Sequence, residues 1–117
     1  MFVKKIVQFD EDALEAVVIV SDSVHELMCY AQPFDKKEEF TLLAFMCSNI
    51  YRAENNCFVI EKTSNSYFSY KLQGEVLDTT KGIVKIGQLI LNDVDYIPKD
   101  ICNGEFIVFD VSRIDLI

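Results

Sequence analysis

The chain has 117 residues, half of them hydrophobic and 26% charged, and 19 acidic against 11 basic side chains give it a formal charge of −8. This length fits one domain, residues 1–117, and the composition excludes a disordered tail, a collagen-like repeat and a low-complexity chain. Folding should remove roughly two-thirds of the extended chain's surface from water, enough for one core, while the net charge works against binding any polyanion.

The patterning is mostly of period two, with β-branched and aromatic residues in the apolar positions, which predicts strands. Phe2 to Phe9 is the first, and Leu14 to Val20 the second. Ser21-Asp22-Ser23 follows as a turn, because short polar side chains bond their own backbone. Val24 to Gln32 alternates and ends at Pro33, which cannot donate to a ladder. Asp35-Lys36-Lys37-Glu38-Glu39 reads as a mixed-charge loop. Phe40 to Tyr51 fits a helix turn or a bent, buried strand, and the strand is preferred.

Cys57 to Lys62 and Tyr67 to Leu77 come next, joined by the hairpin-like Thr63-Ser64-Asn65-Ser66. Gly82 to Leu91 reads as one long strand bent at Gly87, since an interior glycine often marks a bulge or corner. Val94 to Cys102, with Pro98 inside it, suits a short helical turn. Asn103-Gly104 supplies a positive-φ pair before the last strand, Glu105 to Val111 or beyond. Seven or eight strands with one or two helical turns must curl to bury two apolar faces. The expected fold is mainly β, a small antiparallel barrel or sandwich, with an OB-like barrel preferred.

Lys4-Lys5 lead into alternating residues and then Asp10-Glu11-Asp12, not into the apolar stretch of a secretory signal. The longest apolar run, Leu42 to Cys47, is far short of the roughly 18 residues of a membrane span. The chain is therefore expected to begin at Met1 and to be cytoplasmic, with no membrane partner. Cys29, Cys47, Cys57 and Cys102 are expected to be reduced core thiols, each lying in or beside an apolar segment.

Catalytic and metal motifs are sparse. His25 is the single histidine, and on a strand it would stand about 13 Å from Cys29, too far to share an ion. No two cysteines have zinc-knuckle spacing. Ser21, Asp22, Ser23 and His25 contain the ingredients of a triad, but neighbours in one turn converge poorly, so a polar turn is the better reading. The four glycines form neither a P-loop nor a dinucleotide fingerprint. No cofactor, no metal and no enzyme activity are expected.

Small barrels often bind nucleic acid, and Tyr67, Phe68 and Tyr70 near Lys62 and Lys71 resemble a stacking stripe. The basic residues are too scattered to displace counterions from phosphates, so nucleic acid is disfavoured. Acidic residues cluster instead at turns and strand ends, where they serve solubility or steer a basic partner. The preferred function is a non-catalytic protein-binding module: an inhibitor or immunity-type protein neutralising a basic protein such as a toxin or nuclease. Asp10, Glu11, Asp12, Asp93 and Asp95 would be rim charges, and Tyr67, Phe68 and Tyr70 aromatic anchors. The alternative is a small barrel that binds a small ligand or single-stranded nucleic acid. A third reading is a homodimer formed through an edge strand.

Overall fold

The alternation of apolar and polar side chains is realised as nine strands, with no helix, in a computed structural model that describes residues 1–35 and 38–117. They are β1 (Phe2–Asp10), β2 (Glu15–Ser21), β3 (Glu26–Ala31), β4 (Leu42–Arg52), β5 (Val59–Lys62), β6 (Tyr70–Asp78), β7 (Ile83–Ile86), β8 (Leu89–Asn92) and β9 (Phe106–Leu116). The predicted mixed-charge loop falls partly on residues 36 and 37, outside the described residues.

The last strand organises the rest. β9 pairs antiparallel with β4 along one edge and with β6 along the other. β6 leads to β7 and β7 to β8. β8 returns to β4 through Leu42↔Leu91 and Leu43↔Asn92, which closes a five-strand barrel in the order β9–β4–β8–β7–β6. The β8–β4 closure is parallel, as is the single pair Tyr30↔Asp115 that joins β3 to β9. The sheet is thus not wholly antiparallel, as the sequence suggested. β5 adds to β6 beside β7, and the β1–β2–β3 meander extends from the barrel, giving extents of 45 × 27 × 24 Å.

Inward-facing residues of β4, β6, β7, β8 and β9 fill the barrel. Leu42, Leu72, Val76, Val84, Ile86, Leu89, Leu91, Ile107, Phe109 and Ile114 all have zero exposure. Each such side chain contributes about 1.5–3 kcal/mol relative to an exposed one. Val18, Val20, Leu27 and Cys29 carry the core on beneath the meander. By contrast, β1 is exposed at every position but Val3, including Phe2, Ile6, Val7 and Phe9. Its pairing with β2 shifts between Val3 and Lys5 and again between Ile6 and Gln8. Bulges and lysines of this kind discourage another chain from adding to an open edge.

Three segments differ from their sequence reading. Gly82 to Leu91 is not one bent strand but the hairpin β7–β8, reversing at Gly87-Gln88 with Gly87 at φ +62. This raises the strand count to nine. Val94 to Cys102 is not helical: it is a series of turns, one closed by Ile101 N–H donating to Pro98 C=O at 3.0 Å. Proline there presets a turn instead of starting a helix. At Asn103-Gly104 only the glycine has positive φ, +91, and Glu105 N–H donates to Cys102 C=O at 3.1 Å. That is the arrangement of a type II turn, which needs one left-handed residue and not two. Phe40 to Tyr51 is a strand, as preferred, and it bends where Met46 and Asn49 take φ of +56 and +52. All four cysteines are free, but only Cys29 is buried and Cys47 half-buried; Cys57 and Cys102 are exposed, contrary to the expectation of four core thiols.

Candidate functional site

Where the meander leaves the barrel, the strand register sets up a groove of about 680 Å³. Gln8 pairs with Val17 and Val17 with Tyr30, so these three stand side by side. Asp10 pairs with Glu15 at the hairpin end. Successive side chains on a strand point to opposite faces, so Glu15 and Val17 share a face that Ala16 does not. Phe9 pairs with Ala16, and its ring meets Phe34 edge-on at 5.9 Å. The groove's aromatic surface comes from Phe9 on β1, from Tyr30 on β3, and from Tyr67 and Phe68 in the β5–β6 loop.

These rings stand at steep angles to one another. Tyr30 and Phe68 lie 5.9 Å apart at 76°, and Tyr67 and Phe68 lie 5.0 Å apart at 89°. Such edge-to-face pairs are worth about 0.5–1.5 kcal/mol beyond their area. Tyr67 is 58% exposed, so its ring faces water as a free wall. The Arg113 guanidinium lies 4.8 Å from the Tyr30 centroid and 4.7 Å from that of Phe45, and it pairs with Asp115 at 2.6 Å. This corner of the fold already holds one cation against aromatic rings.

The carboxylates are positioned as firmly as the rings. Asp10 Oδ1 accepts the N–H groups of Asp12 and Ala13, at 3.0 and 3.3 Å, which shapes the β1–β2 turn. The Tyr30 hydroxyl donates to Glu15 Oε1 at 2.6 Å, and this bond to a carboxylate raises the phenol above its ordinary pKa. Among the described residues the second oxygen of each carboxylate carries no hydrogen bond.

The β5–β6 loop is shaped by Lys62, whose Nζ donates to the carbonyls of Thr63, Ser66 and Ser69 at 2.9–3.0 Å. The same ammonium lies 5.5 Å from the Tyr70 centroid. Buried Ser69 completes the loop by accepting Ser66 N–H at 2.9 Å.

Of the eight residues named from the sequence, the groove brings together Asp10, Tyr67 and Phe68. Glu11 and Asp12 are exposed in the adjoining turn. Tyr70 is not available as an anchor: it is 8% exposed, and its hydroxyl accepts Met28 N–H at 2.9 Å, as a core residue. Asp93 and Asp95 are exposed in the loop after β8, which the groove does not reach. Asp93 takes φ +60, and Asp95 stands beside Cys47, whose thiol burial pushes up to about 12. Glu15 was visible as one of the acidic turn residues. Tyr30 was placed correctly on one face of its strand, but nothing in the sequence pointed to Phe68, 38 positions along, as its neighbour.

The polar turn at Ser21-Asp22-Ser23 contains a second constellation. The Asp22 side chain is 3% exposed. Its Oδ1 accepts the N–H groups of Val24 and His25, at 2.8 and 2.6 Å. Its Oδ2 accepts Gln88 N–H at 2.7 Å and lies 3.1 Å from His25 Nδ1. Burial alone would raise this carboxyl, but the N–H groups of His25, Gln88 and Val24 more than offset it and hold it far below the usual carboxylate range. Asp22 and His25 thus meet as an acid–imidazole pair. Among the described residues no hydroxyl or thiol bonds to the His25 ring, and the Ser21 hydroxyl instead accepts Ser23 N–H at 2.9 Å. The pair locks two turns together.

No group of three or more potential metal ligands occurs among the described residues, nor any helix long and apolar enough to cross a membrane. No protein-family model matches the chain, and comparison with curated proteins and with solved structures returns no significant similarity.

Proposed function

We propose that this chain is a non-catalytic binding module for a basic protein, acting in the cytoplasm as an inhibitor or immunity-type protein that neutralises its partner. The observation that carries this reading is the groove. It joins an aromatic corner at Tyr67 and Phe68 to the carboxylates of Asp10 and Glu15, on a chain with a charge of −8. Aromatic side chains supply most of the energy at protein interfaces, and surrounding charge speeds and selects the encounter. Four free thiols suit a reducing compartment.

The ligand-binding alternative has weaker support. The barrel interior is filled by side chains, and two parts of the suggested stacking stripe are engaged elsewhere: Tyr70 in the core and Lys62 on loop carbonyls. Assembly through β1 is opposed by its two register shifts and by Lys4, which pairs with Glu26.

The test is capture on the tagged protein from native lysate, with and without nuclease, alongside the Asp10→Lys and Tyr67→Ala variants. A single basic polypeptide held at near-equal stoichiometry after nuclease treatment, and lost from the variants, is the expected result. Retention that disappears with nuclease would overturn it in favour of nucleic acid.

A further inference from the structure

The partner reading leaves open what enters the groove, and the geometry answers in chemical terms. Tyr67 and Phe68 are nearly perpendicular, so their faces form two walls of an open corner. Asp10 and Glu15 pair across the hairpin end that closes the same groove. A π-face and a carboxylate attract the same kind of group, a cation with an apolar stem. A neutral apolar group would strand the carboxylates, and an anion would be repelled by them. Next to the groove the chain meets this need with its own residue, since Arg113 sits between Tyr30 and Phe45 with Asp115 at its edge.

We propose that the Tyr67–Phe68 corner with Asp10 and Glu15 is a cation subsite that takes one lysine or arginine side chain of the basic partner, its stem against the rings and its charge at the carboxylates. This rests on the partner reading for the source of the side chain, but the subsite can be tested without the partner.

The test is a two-dimensional NMR titration of the whole chain with acetyl-Gly-Lys-Gly-amide, its norleucine analogue and tetramethylammonium chloride. The lysine peptide and tetramethylammonium are expected to give saturable shifts at Tyr67, Phe68, Asp10 and Glu15, with the norleucine peptide giving none. Tyr67→Ala and Asp10→Asn should each weaken lysine-peptide binding roughly tenfold. Both changes are at exposed positions, and the asparagine keeps an oxygen for the turn N–H groups, so the remaining spectrum should not move. Equal shifts with norleucine, or no saturation by about 100 mM probe, would overturn the subsite. If both variants still capture the basic partner undiminished, the subsite also falls while the partner reading stands. Saturable lysine binding by a chain that captures no basic protein would keep the subsite and remove the partner reading.

Discussion

Asp22 accepts the backbone N–H of Gln88 at 2.7 Å, across 66 positions of sequence. One carboxylate thereby ties the β2–β3 turn to the β7–β8 hairpin, and so the meander to the barrel.

Replacing Asp22 with alanine would leave three N–H groups without their charged acceptor, and a loss of about 2–3 kcal/mol is expected in denaturant unfolding. Asp22→Asn isolates the charge. Because the folded pKa lies below the unfolded value, the contribution is complete above pH 4 or so and is lost as the pH falls toward the folded value. The native protein should therefore lose stability below about pH 4 more steeply than Asp22→Asn. Parallel acid limbs would show that the carboxylate does not carry this effect.

Gly87 faces the same pair. A Cβ built there would lie 2.2 Å from His25 Nδ1 and 2.6 Å from Asp22 Oδ2, at a φ of +62. Gly87→Ala should cost about 1–3 kcal/mol, combining the clash with the left-handed backbone. In a His25→Ala background the imidazole part of the clash is gone, leaving the backbone share and the contact with Asp22. Equal costs in the two backgrounds would show that the imidazole contributes nothing to the strain.

Lys62→Met removes the ammonium that gathers three loop carbonyls while keeping most of the apolar stem. Charged hydrogen bonds of this kind contribute about 1.5–3 kcal/mol apiece at most, and less where water can replace the donor. The expected result is faster amide exchange across residues 63–69 and weaker partner binding, with the barrel strands still protected. Global loss of protection would mean that the loop and barrel unfold together.

The five acidic residues named as rim charges fall in two separate places, so their roles in association separate too. Asp10→Lys alters the groove itself and should raise the dissociation rate as well as slow association. Asp93→Lys with Asp95→Lys lies outside the groove and should only slow association and flatten its salt dependence. Surface plasmon resonance against the captured partner, at several salt concentrations, distinguishes them. An unchanged on-rate for the Asp93/Asp95 pair would leave those two residues to solubility.

Strands such as β3 and β6 could be read from the sequence because each buries one face, and a single alternation then specifies it. The hairpin at Gly87-Gln88 could not, since Ile83 to Leu91 is apolar on both sides of the turn and carries no asparagine or aspartate there. Its reversal is held partly from outside, by Asp22. The groove was half legible for the same kind of reason. Tyr67, Phe68 and Asp10 are conspicuous in sequence as aromatics and as an acidic turn. Tyr30 and Glu15 join them only through the pairing of β2 with β1 and β3, and through the packing of Phe68 on Tyr30. Tyr70 looked like a further member of the same aromatic stripe as Tyr67 and Phe68, yet it turns inward, where its hydroxyl accepts Met28 N–H.

β9 has a consequence for how the chain is made. It stands between β4 and β6, and β3 also reaches it at Asp115. During synthesis every other strand has been polymerised before residue 106 is added, and none of them can close the barrel without it. Until residue 116 emerges, β4 and β6 present bare edges to whatever else is in the cell. The nascent chain must wait for its last strand, and chaperones that cover exposed strand edges have their longest opportunity in that interval.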